Sequence, residues 1–248
     1  MHLADIRSVL AVVAHPDDIE AFCAGTFAFL RARGARIAYL HLTSGDKGSD
    51  DPQMEPQRLA ALREAEQRAA AALLGLDDLI FLRYPDGGVA DDLPTRAAVA
   101  AQIRRTRPDL VVSFDPWHHY TFHNDHRQAG LVAIAAARTL ARLPGPANGP
   151  DGRVLEPTVP GHAPQAAWLF HTDHPTRVID VSSVIELKVA ARLAHASQAK
   201  NPEATARGLR ERAASLGQPH GLAFAEVFHE VHFPADEGVA ARLAAGED

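Results

Sequence analysis

Two short segments rich in histidine and aspartate contain the side chains best suited to chemistry. Residues 14–18 read Ala-His-Pro-Asp-Asp, and residues 123–126 read His-Asn-Asp-His. Two imidazoles and one carboxylate are a common ligand set for catalytic zinc, which keeps a further position for water. His15 and Asp18 converge if Asp18 opens a helix, because residues three apart share one helix face. With His126, they form the candidate metal set.

The same segments contain groups that can move protons. Asp17 lies beside the candidate ligands, where it can take a proton from water. His123 is placed to donate a hydrogen bond to an oxyanion. Zinc lowers the pKa of a bound water to about 7, so hydroxide attack is feasible near neutral pH. The predicted reaction is hydrolysis of a carbonyl derivative.

Each of these residues also has a purely structural interpretation. Asp18 and Asp125 lie where helix N-caps are expected, and capping is the commonest role of Asp there. Residues 171–174 repeat the His-x-Asp-His spacing, but Pro175 follows at once, so we interpret them as a solvated turn, at most on the pocket rim. His118–His119 are interpreted as substrate contacts or loop residues. The pairing of two such clusters favours chemistry over coincidence.

Alternating strands and helices must position these segments. Apolar runs predict strands at residues 8–14, 36–43, 79–82, 110–114, 166–171, 178–180 and 224–233. Helical spacing and end signals predict helices at residues 18–33, 56–74, 94–107, 125–143, 184–195 and 203–216. The alternation predicts an α/β, Rossmann-like three-layer fold, with a mainly parallel sheet flanked by helices and a smaller C-terminal extension.

Topology places both segments at one edge of the predicted sheet. Ligands of open parallel sheets bind beyond the carboxyl ends of strands, where the strand order reverses, and the first and fourth strands are the usual neighbours there. We therefore expect residues 1–143 to form a metal-site core. Residues 144–248 are expected to complete the pocket within the same catalytic domain, with the Pro/Gly-rich residues 144–164 as a long surface loop.

Composition excludes several classes of protein. A hydrophobic fraction of 46% with 23% charged residues is typical of a globular chain. The net charge of −6 argues against nucleic acid as a partner. We find no apolar stretch long enough for a transmembrane helix and no secretory signal at the N-terminus. A single cysteine, Cys23, excludes an intrachain disulfide and fits a reducing compartment. We therefore expect a cytoplasmic protein, and the lack of a long apolar stretch argues against a membrane partner.

The two segments resemble the PIG-L/LmbE-like family of zinc-dependent N-acetylglucosaminyl deacetylases. Residues 14–18 match the family's Ala-His-Pro-Asp-Asp signature, and residues 123–126 correspond to its His-Pro-Asp-His motif with Asn124 in place of Pro. The similarity continues through residues 42–48, 63–66, 84–87 and 195–198. It covers roughly residues 9–198.

The resemblance implies removal of an N-acetyl group from an amino sugar, with zinc held by His15, Asp18 and His126. Asp17 would be the general base, and His123 would stabilise the oxyanion.

The resemblance also implies roles for three residues outside that set. Asp125 would orient or tune His123 or the ligands, whereas Arg63 and Asp86 would bind the sugar. Structural alternatives remain for the last two. Arg63 can form a helix-surface pair with Glu66 or Gln67, and Asp86 can be a turn residue.

Other functions also fit the sequence. The same metal centre can serve an amidase acting on a thiol conjugate or another acylated amine, and the site can accept another divalent transition metal. A different class is a non-catalytic Rossmann-like module that binds a small molecule or metal. The first strand lacks a following Gly-x-Gly-x-x-Gly phosphate cradle, which argues against nucleotide binding. The expected partner is a small N-acetylated sugar, and a homo-oligomer is compatible with the family likeness.

Overall fold

A seven-stranded sheet forms the centre of the structure and positions both His/Asp segments. The structure is a computed structural model that describes residues 1–76, 78–149 and 153–233. Its strands are β1 (Ser8–Val13), β2 (Arg36–Thr43), β3 (Asp78–Tyr84), β4 (Leu110–Phe114), β5 (Gly145–Asn148), β6 (Val154–Val159), β7 (Ala166–Phe170), β8 (Arg177–Asp180) and β9 (Ala225–His232). The main sheet has the order β3-β2-β1-β4-β7-β9-β8, in which β9 runs antiparallel to β7 and β8.

Helices cover the sheet, as predicted for an α/β fold. They are α1 (Asp18–Phe22), α2 (Ala24–Ala32), α3 (Pro56–Leu74), α4 (Leu93–Thr106), α5 (Asn124–Arg138), α6 (Ile185–Leu193) and α7 (Pro202–Gly217). All six residues of β1 are buried, as expected for a parallel strand covered on both faces. Within the described residues, no helix combines the length and the apolar character needed to cross a bilayer.

The strand order reverses between β1 and β4, as expected. β1 pairs in parallel with β2 on one side and with β4 on the other. The loops that follow β1 and β4 therefore open at the same edge of the sheet. The C-terminal half contributes β7, β9 and β8 to this same sheet, and residues 234–248 of the predicted pocket-completing part lie outside the described residues.

Two predicted helices differ from those in the structure. The helix expected at residues 18–33 is split into α1 and α2, because the backbone of the buried Cys23 leaves the helical region with φ −141°. The helix expected at residues 125–143 ends at Arg138. Thr139 has φ −121° and ψ −73°, and a short 3-10 turn follows.

The predicted loop at residues 144–164 contains a two-stranded antiparallel sheet of β5 and β6. β6 is almost entirely exposed, so no buried apolar face marked it in the sequence. Arg104 of α4 donates to the carbonyls of Leu140, Leu143 and Pro146, which anchors this segment to the main body. Residues 150–152 of the predicted loop lie outside the described residues.

Candidate metal centre

Three candidate ligands from separate elements converge beyond β1 and β4. Asp18, the first residue of α1, accepts a hydrogen bond from the backbone N–H of His15 at 2.7 Å. Its Oδ2 lies 3.7 Å from Nδ1 of His15, and its Oδ1 lies 3.2 Å from Nε2 of His126 on α5. The side chain of Asp18 makes no helix-capping bond. The structure thus brings His15, Asp18 and His126 together as predicted.

The turn between β1 and α1 depends on an unusual backbone conformation at Asp17. Its φ is +91°, in the left-handed region that non-glycine residues enter only at some cost in free energy. The backbone N–H of Asp17 donates to Oε1 of Gln67 at 3.2 Å. Gln67 in turn donates to the buried Glu20 at 2.9 Å, and Glu20 lies 3.4 Å from Nε2 of the buried His195. Buried side chains therefore support the turn.

Two further carboxylates face the other nitrogen of His15. Nε2 of His15 lies 3.1 Å from Oδ1 of Asp86 and 3.5 Å from Oδ2 of Asp125. Asp125 also accepts from the backbone N–H groups of Gly87, at 2.6 Å, and Val89, at 3.2 Å. It therefore caps no helix. The sequence left open whether Asp125 acts on His123 or on the candidate ligands. In the structure, Asp125 contacts the candidate ligand His15.

The cluster is electrostatically suited to a cation. Burial acts to lower the pKa of His15, but contacts with Asp125, Asp18 and Asp86 outweigh it and raise this pKa to about 11. Burial acts to raise the pKa of Asp18, but His126 and His15 hold it well below its usual range. Without another cation, the carboxylates draw a proton onto the imidazole. A bound metal ion would supply that positive charge instead.

The donor atoms also suit a divalent metal. Among the described residues, His15, His123 and His126 present ring nitrogens within 4.8 Å of one another, and His15 forms a similar group with Asp86 and Asp125. Carboxylates at Nε2 of a histidine favour the tautomer in which Nδ1 is free to bind a metal. Nδ1 of His15 is the nitrogen that faces Asp18. The donor set therefore fits zinc or another divalent transition metal that binds imidazole and carboxylate groups.

Asp17 lies between two arginine side chains. Its Oδ1 is 3.1 Å from Nη2 of Arg63, and its Oδ2 is 3.2 Å from Nη2 of Arg192 on α6. Burial and the charge of Asp18 raise the pKa of Asp17, while Arg192 and Arg63 oppose the increase. The result is a carboxylate more basic than usual, held in place on both oxygens.

Arg63 is buried on α3 and does not form the surface pair with Glu66 that the sequence also allowed. Its Nη1 donates to the carbonyl of Gly45 at 3.1 Å, and its Nη2 donates to the carbonyl of Pro16 at 2.6 Å. Glu66 instead accepts from the backbone and hydroxyl of Ser197, both at 2.7 Å. Arg63 therefore ties the loops after β1 and β2 to each other.

His123 precedes α5 and is exposed to solvent. Its ring stacks on that of His126 with centroids 4.5 Å apart and an interplanar angle of 16°. Partial loss of solvent, followed by the charges of His15 and His126, lowers the pKa of His123. The imidazole is therefore neutral at pH 7 and retains one N–H to donate.

These side chains surround a single cavity of about 410 Å³. Seven of the predicted site residues line this cavity: His15, Asp17, Asp18, Arg63, Asp86, His123 and His126. Asp125 is the predicted site residue that does not line it, because it lies behind His15. The sequence did not identify Lys47, Gly48 and Gln198, which also line it. The prediction that residues 144–248 complete the pocket stays a prediction. From that half, Gln198 lines the cavity and Arg192 contacts Asp17.

Sequence reasoning also missed two residues that contact Asp17. Gln67, which accepts from the backbone N–H of Asp17, entered only as a possible surface partner of Arg63. Arg192 had no signal, because a cation on an amphipathic helix usually faces water.

The remaining histidine clusters do not line the main cavity. His118 lies 3.2 Å from Oδ1 of Asp173, and His119 lies 2.9 Å from its Oδ2. His174 is exposed, whereas His171 is half-buried rather than fully solvated. None of these residues joins the candidate metal set.

The fold and the site together define an α/β protein with a candidate His/Asp metal site at the strand-order reversal. The model of the PIG-L family, described as GlcNAc-PI de-N-acetylase, matches residues 10–137 of the chain. This chain belongs to the PIG-L family. It is an enzyme of the deacetylase class, and PIG-L deacetylases are metal-dependent.

Known relatives agree with this assignment. The chain is 33% identical over 194 residues to a diacetylchitobiose deacetylase of Thermococcus kodakarensis, covering 78% of this chain and 71% of the relative. It is 33% identical to a 1D-myo-inositol 2-acetamido-2-deoxy-alpha-D-glucopyranoside deacetylase of Mycobacterium sp., covering 78% and 74%. The structure of N,N'-diacetylchitobiose deacetylase from Pyrococcus horikoshii superposes with a TM-score of 0.80 at 28% identity, covering 92% of this chain and 85% of that one.

Proposed function

We propose that this chain is a zinc-dependent hydrolase that removes the acetyl group from an N-acetylated amino sugar or glycoside. The observation that carries the proposal is the position of Asp17, which shares one cavity with a His/Asp donor set. A base beside a metal-binding set is an arrangement that can hydrolyse an unactivated amide. The named relatives act on acetylated glucosamine compounds, which supports the substrate class.

His15, Asp18 and His126 would hold the metal in this proposal. When bound there, a zinc ion would supply a Lewis acid for the amide carbonyl and would lower the pKa of water to near neutral pH. Asp86, at 3.1 Å, and Asp125, at 3.5 Å, both face Nε2 of His15, which would leave Nδ1 free for the metal. Asp18 faces both imidazoles, with one oxygen toward each.

Asp17 would remove the proton from the attacking water. Its raised pKa makes it a stronger base than an ordinary carboxylate, and the two arginines fix the carboxylate toward the cavity. Once protonated, Asp17 would deliver the proton to the departing amine. His123, neutral and exposed at the cavity wall, would donate its N–H to the oxyanion of the tetrahedral intermediate.

Arg63 and Asp86 are proposed to bind the sugar from the cavity wall. Nε of Arg63 is buried without a hydrogen-bond partner among the described residues, although the two terminal nitrogens are engaged. Asp86 uses one oxygen for His15 and the other for the backbone N–H of Lys47. Both residues thus combine a structural contact with a position beside the substrate.

Metal content and acetate release test the proposal together. Wild type and His126→Ala are purified without chelators, with the exposed His220→Ala as the matched control. We expect about one zinc per chain in wild type and in His220→Ala, and loss of zinc in His126→Ala, by elemental analysis. Acetate release from N-acetylglucosaminyl glycosides should be found in the two proteins that keep zinc and should be lost in His126→Ala. An acylated thiol conjugate hydrolysed in preference to the glycosides would favour the amidase alternative.

A further inference from the structure

A second cavity lies beside the metal centre, on the other side of a layer of aromatic rings. Its volume is about 190 Å³. Its polar wall consists of His118, His171, Thr172 and Arg212, and Phe22 contributes to its apolar wall. We call it the Arg212 cavity. None of its lining residues belongs to the main cavity.

Ring contacts connect the Arg212 cavity to the metal site. The ring of Phe114 stacks on that of His126 at 4.1 Å, and Phe22 meets Phe114 edge-on at 5.5 Å. His171 follows at 5.0 Å from Phe22. Phe22 also ends α1, the short helix that begins with the candidate ligand Asp18. Both cavities lie at the same edge of the sheet, because His118 follows β4, His171 follows β7, and these two strands pair in parallel.

Arg212 supplies a positive charge without a carboxylate partner among the described residues. Its guanidinium lies 4.5 Å from the centre of the Phe22 ring, at the cavity wall. Arg210, on the same helix, instead pairs with Glu186 through two bonds of 2.8 and 2.6 Å. An arginine that packs on an aromatic face and keeps its donors free is well suited to a carboxylate or phosphate.

His171 provides a second donor and has a constrained backbone. Its φ is +54°, and its ring stacks on His118 with centroids 4.0 Å apart. The ring nitrogens of His118 are occupied by Asp173 and Thr121, so His118 serves to fix the ring of His171. Among the described residues, the ring of His171 has no hydrogen-bond partner. Burial, then His118 and Arg212, lower its pKa to about 4, so the ring is a neutral donor at pH 7.

The remaining polar groups are compatible with an anion. The hydroxyl of Thr172 accepts from the backbone N–H of His174 at 3.1 Å, which leaves its own proton to donate. Asp173 is the neighbouring carboxylate, and it is exposed and engaged by His118 and His119. The charge of Glu226 also acts on Arg212, but the carboxylate of Glu226 is paired with Lys188. Arg212 is therefore the cation at this cavity that keeps donors free for a ligand.

We propose that the Arg212 cavity binds an anionic substituent, a carboxylate or a phosphate, on the group that the amino sugar is attached to. Arg212 provides the charge, and His171 and Thr172 provide neutral donors. The inference rests on the proposed deacetylase function and narrows its substrate to acidic glycosides. A charge-assisted contact of this kind is expected to change affinity by roughly 10- to 100-fold.

Two matched pairs of substrates test this inference. The first pair is the N-acetylglucosaminyl glycosides of lactate and of lactamide, and the second is those of glycerol phosphate and of glycerol, each as both anomers. Acetate release is measured for wild type, Arg212→Gln, Arg212→Lys and the control Arg207→Gln, which removes an exposed charge on the same helix. Equilibrium binding of the same glycosides is measured by calorimetry in the Asp17→Asn background.

We expect wild type to prefer one acidic glycoside over its neutral partner by roughly 10- to 100-fold, mainly in KM and in Kd. The preference should vanish in Arg212→Gln, survive in part in Arg212→Lys and remain in Arg207→Gln. The preferred pair distinguishes carboxylate from phosphate. Equal values for acidic and neutral partners, or a preference that persists in Arg212→Gln, would overturn the inference. Charge-selective binding without acetate release would instead overturn the proposed reaction and leave the anion site standing.

Discussion

Oδ2 of Asp125 lies 3.5 Å from Nε2 of His15, and backbone N–H groups of Gly87 and Val89 hold the same carboxylate. Together with the 3.1 Å contact between Asp86 and the same nitrogen, this contact favours a proton on Nε2 of His15 and leaves Nδ1 free for a metal. Asp125→Asn removes the charge behind the imidazole.

We expect Asp125→Asn to weaken metal affinity by about 10- to 100-fold, as measured by competition with a chromophoric chelator. Asp109→Asn is the control, because Asp109 holds backbone N–H groups of Arg7 and Ser8 at the start of β1. Unchanged affinity in Asp125→Asn would contradict a role for Asp125 in orienting His15.

Asp17→Asn separates metal binding from proton transfer. The amide keeps the size of the side chain but cannot accept a proton from water, and Asp17 is not among the proposed ligands. The variant should retain its metal by elemental analysis and lose about 10²- to 10⁴-fold in kcat. Near-normal turnover in Asp17→Asn would rule out the general-base role.

Arg192 positions Asp17 from the opposite side to Arg63, through the 3.2 Å contact with Oδ2. Arg192→Ala should lower kcat by about 10- to 100-fold, with little change in KM or metal content, because one oxygen of the base loses its partner. Added methylguanidinium should restore part of the rate by replacing the missing guanidinium. A variant that had lost activity only because it was unstable would not recover in this way. Arg210→Ala, at an exposed pair, is the control. Failure of methylguanidinium at all concentrations would argue against positioning through this contact.

Local signals explain why much of the fold was predictable. β2, α3 and β4 have the predicted bounds. α3 has Pro56 at its first position and Gly75 beyond its end, where φ is +66°. These residues favour the start and the end of a helix for steric reasons that act within a few residues.

The features that were not predictable depend on contacts between distant parts of the chain. Nothing near Cys23 predicts the break between α1 and α2, and the exposed β6 lacks a buried face. The side chains of His15, Asp18 and His126 were identified because their types are chemically distinctive. Arg192 was missed because only the packing of α6 brings it to Asp17.

Glu64 links acid stability to the loop after β2. It accepts from Ser44 at 2.7 Å and from Arg83 at 2.8 and 3.0 Å. Burial acts to raise the pKa of Glu64, but Arg83, Ser44 and Arg68 hold it at about 2, below the ordinary 4.5. The ionised carboxylate therefore stabilises the folded protein above pH 4.5, and this contribution is lost as the pH falls toward 2.

The free energy of unfolding of wild type should thus exceed that of Glu64→Gln at pH 7, and the gap should narrow steadily below pH 4.5. Urea unfolding between pH 7 and pH 3 measures the gap. Glu186→Gln, which alters an exposed pair with Arg210, should show little difference across the range. A gap that stays constant with pH would show that the charge of Glu64 is not responsible.

Lys188 and Glu226 form a buried ion pair in the C-terminal half. Nζ of Lys188 lies 2.6 Å from Oε1 of Glu226, and their side chains are 4% and 2% exposed. Glu226 also accepts from the backbone of Gly25 and from the backbone and hydroxyl of Thr26. It therefore joins α6 and β9 to the start of α2, directly behind α1.

Removing one partner leaves an uncompensated charge away from water. Lys188→Met should lower the free energy of unfolding by about 3–5 kcal/mol, measured by urea unfolding at pH 7. Lys200→Met, which breaks an exposed pair with Asp50, should have a much smaller effect. The double variant Lys188→Met with Glu226→Gln should recover part of the loss, because the unpaired carboxylate is gone, although the amide keeps fewer acceptors for Gly25 and Thr26. Additive losses in the double variant would show that the two side chains stabilise the fold independently.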